Sequence, residues 1–322
     1  MKSEPLVSVI IPTYKRVESL IRAVESLDNS SYRNMEIIIV DMGDSEKQIA
    51  NLVMKKLKNL DKRMIKIMEV NEEMYASGAI NEGIKHSNSD YILICADDVV
   101  LESNALQKLV DVLLKYTDIG IICPVCYYLK NPELIWWAGA KINMLTSRTY
   151  VYSRDLSPPN VDIFDTDAFT TLALIRKELF YNKDGKLFFV DQNEFPIYNE
   201  EADFSFRAKK RGWRVCLTKN AKVYHDIPPP NESNDLARLF HVPTPNRAYF
   251  AARNRIIFNK KYSKWWQFFI FISIFNWLFT VYYLKIILLG SKKPFIKRLE
   301  VAKGYLKGVW DGLRRSIIHP SL

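Results

Sequence analysis

Apolar residues in the first 126 positions come in two rhythms. Short unbroken runs predict five strands: Leu6-Val-Ser-Val-Ile-Ile11, Glu36-Ile-Ile-Ile-Val-Asp41, Met64-Ile-Lys-Ile-Met68, Tyr91-Ile-Leu-Ile-Cys95 and Ile119 to Val125. Between them the spacing turns helical. Val17 to Leu27 is apolar at 17, 20, 21, 24 and 27, and Ser103 to Tyr116 at 106, 109, 110, 113 and 114. Ser45 to Leu57, with Ser45 as N-cap, and Ser77 to His86 complete the set. Strands apolar throughout, alternating with helices, predict a parallel sheet covered on both faces. Such sheets bind ligands beyond the carboxyl ends of their strands.

The regularity fades from about 127 to 230. That stretch holds aromatic-rich segments, a Pro158-Pro159 turn and one clear helix, Glu200 to Arg211. It reads as a mixed half that finishes the same domain. Pro228-Pro229-Pro230 then punctuates the chain, and the residues from Arg253 onward are basic and aromatic. The organisation expected is a domain over 1–255, with halves 1–126 and 127–255, followed by a helical tail over 256–322.

Charge sharpens this division. The net charge is +10, yet residues 1–252 carry 32 Lys and Arg against 34 Asp and Glu, and the remainder carries 14 against 2. The main domain is therefore no basic nucleic-acid reader. Four cysteines in 322 residues exclude a disulfide scaffold and suit a reducing compartment. No apolar run follows Met1 to Pro5 before the first strand, so no secretory signal is expected and the domain is assigned to the cytoplasm.

Chemistry-bearing residues collect where strands end. Asp41 closes the second strand, Asp97-Asp98 follows the fourth, Glu200-Glu201-Ala-Asp203 opens a helix, and His225 follows the strand-like Ala221 to Tyr224. A paired Asp after a parallel strand suits a divalent cation, which in turn could hold a diphosphate. Taken singly, each also has a plain structural explanation as a turn, a cap or a first-turn charge pair. Cys123-Pro-Val-Cys126 lies at a strand end, whereas redox versions of this motif open a helix. Trp136-Trp137 reads either as a packed pair or as a platform for stacking a sugar.

In sequence order, the chain resembles the inverting, GT-A-type glycosyltransferases of family 2. The resemblance runs through Val7-Ser-Val-Ile-Ile-Pro-Thr-Tyr-Lys-Arg16, Glu36-Ile-Ile-Ile-Val-Asp-Met-Gly-Asp-Ser45, Ala76-Ser-Gly-Ala-Ile-Asn-Glu-Gly-Ile84 and Asp90-Tyr-Ile-Leu-Ile-Cys-Ala-Asp-Asp-Val-Val-Leu101. It continues through Tyr198-Asn-Glu-Glu-Ala-Asp-Phe-Ser-Phe-Arg-Ala-Lys-Lys-Arg-Gly-Trp213, Ala221-Lys-Val-Tyr-His225 and Tyr249-Phe-Ala-Ala-Arg-Asn254. The last element is most similar to rhamnosyl- and hexosyltransferases that build cell-surface glycans. The resemblance implies an α/β fold of GT-A type and transfer of a sugar from a nucleoside-diphosphate sugar to a glycan or lipid-linked acceptor, with inversion. It implies that Pro12, Thr13, Tyr14 and Arg16 frame the nucleotide, that Asp41 touches base or ribose, and that Gly78, Asn81 and Asp97 line the donor pocket. By the same resemblance, Asp98 and His225 hold Mg2+ or Mn2+, and Glu201, with Glu200 beside it, acts as catalytic base. Trp136, Trp137 and Asp203 then lie on the acceptor side. Three features depart from the family pattern: neither Cys95 nor Ala96 provides an acid before Asp97, Glu201 replaces the usual Asp, and Lys15 the usual Asn. The lack of that acid leaves a non-catalytic nucleotide-sugar-binding protein as an alternative. A nucleotidyltransferase, the other alternative, favours a Gly-rich loop after the first strand, which Pro12-Thr-Tyr-Lys lacks.

Within the tail, Trp265 to Leu284 is uncharged for 20 residues, ten of them Phe, Trp or Tyr, with lysines at both ends. A helix of that length reaches across a hydrocarbon core of roughly 30 Å. Basic flanks on both sides also suit a helix lying in the cytoplasmic surface of a membrane. Burial in a homodimer interface is the alternative.

Overall fold

The structure is a computed structural model that describes residues 4–43, 49, 52–55, 59, 61, 64–71, 74–182, 185–187, 189, 191–229 and 235–315. The chain forms two compact units, one of residues 1–141 and 151–227, the other of 142–150 and 228–322.

The first unit is built on one mixed sheet. Its strands are β1 (Val7–Thr13), β2 (Met35–Asp41), β3 (Ile65–Glu69), β4 (Tyr91–Cys95), β5 (Val99–Leu101), β6 (Ile119–Tyr128), β7 (Asn131–Trp137), β10 (Ile163–Asp165), β11 (Leu172–Arg176) and β12 (Arg214–His225). The main path runs β10-β12-β6-β11-β4-β1-β2-β3, with β5 on β12 and β7 on β6. β3, β2, β1 and β4 are mutually parallel, as the βα rhythm predicts. β2 is buried at all seven positions, which requires cover on both faces. The later half makes the sheet mixed, as expected: β11 enters antiparallel between β4 and β6. β12 is much longer than the Ala221 to Tyr224 expected, because a register shift between Thr218 and Lys222 lets it carry a polar stretch without losing β6.

Helices α1 (Val17–Asp28), α2 (Tyr75–Lys85), α3 (Ala105–Lys115) and α4 (Glu200–Lys210) complete this unit. α2 packs on β1 and β2, α3 on β6 and β12, and α4 on β12. Of the helix expected over Ser45 to Leu57, Ile49 and residues 52–55 are helical and the rest lies outside the described residues. The short strands β8 (Ala140–Asn143) and β9 (Arg148–Val151) pair with each other apart from the main sheet.

The second unit is helical: α5 (Leu236–Leu239), α6 (Pro245–Tyr262), α7 (Trp265–Leu289) and α8 (Phe295–Leu313). Thr244 caps α6 by accepting the Arg247 N–H, and Pro245 sits at its first turn. α7 contains a π-helical segment, Phe271–Phe275. Ala248, Ala252 and Ile256 of α6 share a core with Phe271 and Ile287 of α7 and with Tyr305 and Val309 of α8. α8 approaches α6 through Gly304, Gly308 and Gly312, where an added Cβ would run into the backbone of Pro245, Tyr249 and Arg253. Residue 255, where the first domain is expected to end, falls inside α6, whose apolar face is covered by α7 and α8; the compact units part between Ile227 and Pro228.

Candidate active site

Every parallel strand of the sheet points its carboxyl end to the same edge, and the acidic residues sit there. Thr13 ends β1 in register with Asp41 at the end of β2. The Asp41 carboxylate is buried and accepts the Gly43 N–H at 2.9 Å, folding the chain back after the strand. Tyr14 is exposed, and Lys15 lies over its ring at 4.8 Å. Lys15 has a left-handed backbone (φ 54°), a conformation that the Asn usual in the family adopts more readily than Lys.

Asp97 and Asp98 follow β4 and are both buried. The Thr13 hydroxyl donates to Asp97 Oδ2 at 2.8 Å, and Arg16 bridges the two acids, with Nη2 2.7 Å from Asp97 Oδ1 and Nη1 2.5 Å from Asp98 Oδ2. His225 Nε2 lies 3.3 Å from Asp98 Oδ1. This meeting is fixed by the sheet: β5 pairs with β12 so that His225 faces Val99, and the Asp226 N–H donates to the Asp98 carbonyl at 2.8 Å. Arg22 of α1 forms an ion pair with Asp226, a further tie at this point. Trp136 stands edge-on to the His225 ring, centroids 4.3 Å apart. Thr13, Arg16, Asp97, Asp98, His225 and Trp136 thus form one unbroken chain of contacts.

The two acids differ in electrostatics. Burial, reinforced by the neighbouring Asp98 charge, raises the Asp97 carboxyl to about 6 against the pull of Arg16 and Thr13. Burial acts on Asp98 too, but His225 and Arg16 overcome it and hold that carboxyl down at about 2. A divalent cation is implied at this place by the family resemblance, and the residues fit one. Asp98 offers a hard oxygen beside an imidazole, and His225 Nδ1 is buried without a hydrogen-bond partner.

A second group forms around α2 and α4. Gly78 leaves no room for a side chain, because an added Cβ would lie 2.5 Å from Gln192 Oε1 and 2.8 Å from Met74 Cβ. The Ser77 hydroxyl donates to the Phe195 carbonyl at 2.6 Å, and Asn81 Oδ1 accepts the Phe189 N–H. One face of α2 therefore holds the segment leading into α4. That segment ends in two left-handed residues, Tyr198 and Asn199, both at φ 67°. Consecutive non-glycine residues in this region store strain of about 1–3 kcal/mol each, a pattern found where side chains must be aimed.

Glu200 and Glu201 open α4 beside the helix's positive end. Because α4 packs on β12 and runs back to the start of that strand, its first turn lies at the carboxyl edge of the sheet, the edge that carries Asp97 and Asp98. Glu200 is buried with Oε2 unpartnered. Burial, and then the Glu201 charge, raises the Glu200 carboxyl well above the usual range; burial raises Glu201 as well. Two carboxyls with raised affinity for a proton at one helix start are equipped to take a proton from a hydroxyl.

The residues expected on the acceptor side have these surroundings. Asp203 is buried against Arg207 at 2.9 Å, an i,i+4 ion pair that braces α4. Trp137 is packed into the core while Trp136, at a register shift of β7 against β6, stands edge-on to His225. Cys123 and Cys126 are buried in β6, where burial pushes both thiols up and keeps them protonated. Sequence reasoning missed Ser77 and the pairing of Arg22 with Asp226. Ser77 lies inside a quoted motif, so it was within reach; Arg22 and Asp226 are joined only by the fold.

Comparison with known proteins agrees with this geometry. The chain is 30% identical over 105 residues to the GalNAc(5)-diNAcBac-PP-undecaprenol beta-1,3-glucosyltransferase of Campylobacter jejuni, a third of each chain. It is 30% identical over 106 residues to the glycosyltransferase GlyG of Streptococcus pneumoniae, covering 32% of this chain and 34% of that one. With the dolichyl-phosphate beta-glucosyltransferase of Dictyostelium discoideum it shares 27% identity over 159 residues, 46% of this chain and 48% of the relative. These matches span a third to a half of each relative's length. Among solved structures, Staphylococcus aureus TarS 1-349 superposes over 98% of this chain and 73% of its own, with a TM-score of 0.50 at 12% identity. GalNAc-T7 with UDP, GalNAc and Mn2+ superposes over 84% of this chain and 55% of its own, with a TM-score of 0.54 at 16% identity. These likenesses show a fold of GT-A type. The sequence signature of glycosyl transferase family 2 matches residues 8–182, more than half of the chain, and the chain belongs to that family.

Proposed function

We propose that the protein transfers a hexosyl or rhamnosyl unit from a nucleoside-diphosphate sugar to a glycan or lipid-linked acceptor, inverting the anomeric centre. The observation that carries this reading is the gathering, at one edge of the sheet, of Asp97, Asp98 and His225 and of the proton-accepting start of α4. Asp98 and His225 would hold Mg2+ or Mn2+, whose charge offsets that of the departing diphosphate. Among the described residues no group of three acidic, His or Cys side chains is placed to hold a metal ion, so substrate oxygens and water would complete the shell. Pro12, Thr13 and Tyr14 frame the nucleotide, with Asp41 behind them at the next strand end, and Thr13 orients Asp97. Glu201, less buried than Glu200, takes the proton of the attacking hydroxyl as the new bond forms; burial keeps its proton affinity high, and its charge in turn helps keep Glu200 protonated. Base and leaving group on opposite sides of the sugar carbon make the displacement in-line, which inverts the centre.

A lipid-linked acceptor is favoured by α7, the one helix among the described residues long and apolar enough to cross a membrane. Trp265, Phe269, Leu278, Val281 and Leu289 are exposed along it. Two of the relatives are named for lipid-linked substrates, one undecaprenyl and one dolichyl. We place the protein at a membrane surface with the catalytic unit on the cytoplasmic side.

A thermal-shift screen against nucleoside-diphosphate sugars, with and without Mn2+, tests the reading. One donor class should stabilise the chain in a metal-dependent way, and Asp98→Ala should abolish that shift and the turnover of the same donor. Equal stabilisation of wild type and Asp98→Ala would overturn the metal assignment. Binding without turnover against any acceptor, in a chain that also fails to hydrolyse donor, would overturn the enzymatic one.

A further inference from the structure

Arg16 sits where a cation is needed, and it is an unusual occupant. Its guanidinium forks across both acids, one amino group on Asp97 and the other on Asp98. Each acid also has a private partner: Asp97 accepts from the Thr13 hydroxyl and the Tyr14 N–H, and Asp98 lies against His225. Two adjacent carboxylates almost out of solvent cannot both stay ionised without a neutralising charge. In this state Arg16 supplies it.

The arm that delivers this charge reaches the acids from the surface. The Arg16 side chain is 53% exposed, whereas those of Asp97 and Asp98 are 1% and 10% exposed. It springs from the residue just before α1, next to the left-handed Lys15. Its anchor point is therefore fixed while its tip rests at the mouth of the site. We propose that Arg16 is a displaceable counter-ion, holding Asp97 and Asp98 together until a divalent cation takes Asp98 and then turning outward to grip the donor's diphosphate. This rests on the reading of Asp98 and His225 as the cation site.

The physical case has two halves. A dication on Asp98 places like charges within a few ångströms of the guanidinium, which repel strongly away from bulk water. The same guanidinium, once turned out, matches phosphate oxygens in a bidentate fork and meets the anion that arrives with the cation. Arg16 would then oppose binding of the cation alone and favour binding of the cation with its diphosphate. The missing acid at Cys95 and Ala96 makes the contest for Asp98 sharper, since no further carboxylate stands in.

The test uses the full chain with two probes, Mn2+ alone, followed by electron paramagnetic resonance, and inorganic pyrophosphate at saturating Mn2+, followed by calorimetry. Arg16→Gln should bind Mn2+ alone about tenfold more tightly than wild type, and pyrophosphate about tenfold more weakly. Arg16→Lys, with one ammonium that cannot span both acids, should fall between them and carries the test if Arg16→Gln does not fold. Asp98→Asn should lose Mn2+ binding with either residue at position 16. Unchanged or weaker Mn2+ binding in both Arg16 variants, with Asp98→Asn still abolishing it, would overturn the counter-ion role and leave the cation site standing. Mn2+ binding that survives Asp98→Asn would remove the cation site, and this proposal with it.

Discussion

The side-chain oxygen of Asn81, one turn beyond Gly78 on α2, accepts the backbone N–H of Phe189. A residue expected in the donor pocket thus holds the segment that delivers Glu200 and Glu201. Asn81→Ala should lower kcat about tenfold or more while changing donor affinity by less than about threefold, because it loosens the aim of the base. Steady-state kinetics with a titrated donor separates the two. A rise in donor KM at unchanged kcat would assign Asn81 to the pocket instead.

The two glutamates at the start of α4 have separable roles. Glu201→Gln should keep donor binding and cut turnover by at least about 10²-fold, the scale of a lost general base. Glu200→Gln should retain more activity and leave the acid limb of the pH–rate profile in place, since burial, not Glu200, raises the Glu201 carboxyl. The larger loss in Glu200→Gln would exchange the roles.

Burial of Glu200 has a signature in stability. Its carboxyl binds a proton more tightly folded than unfolded, where it titrates near about 4.3. The folded state is therefore penalised above that pH, increasingly so until the folded group itself ionises. Glu200→Gln removes the titration, so its melting temperature relative to wild type should climb as pH rises from about 4 toward neutrality. A difference that stays flat with pH would show that Glu200 ionises normally in the fold.

Where the chain is cut matters for the helical unit. Removal of residues 260–322 leaves α6 without α7 and α8 and uncovers Ala248, Ala252 and Ile256, so that fragment should aggregate. A chain ending at Ile227 should stay monomeric and keep donor binding, as judged by gel filtration and calorimetry. The full chain should float with anionic vesicles. Release by high salt would indicate a surface helix, and a need for detergent a spanning one. Failure to float at low salt would assign α7 to protein contact.

Legibility followed the type of order. β1, β2 and β4 carry runs of consecutive apolar residues, and a covered parallel strand writes itself into sequence in that way. β7 did not announce itself, because it is largely exposed; β11 is as apolar as β4, but no local pattern shows its antiparallel place between β4 and β6. The acids were visible because they follow strands, yet their partners were not. Nothing local to Arg16 points to Asp97, and nothing local to Arg22 to Asp226, since those pairs exist only once the sheet is assembled. The stripe Gly304, Gly308, Gly312 was legible by its four-residue spacing but carried no meaning until α6 was found against it.

The route of β12 through the sheet also sets a timetable. The family signature ends at residue 182, before β12 begins at Arg214, yet β12 pairs with β6 one strand in from the edge of the sheet and carries His225 to Asp98. On the ribosome, a chain that has already exposed its whole recognisable motif still has an open edge along β6 where a strand belongs. Until β12 emerges and slides in beside β6, Asp98 has Arg16 but no imidazole. On the proposed reading, competence for a metal-bound donor is thus a late event in synthesis, withheld until β12 is in place.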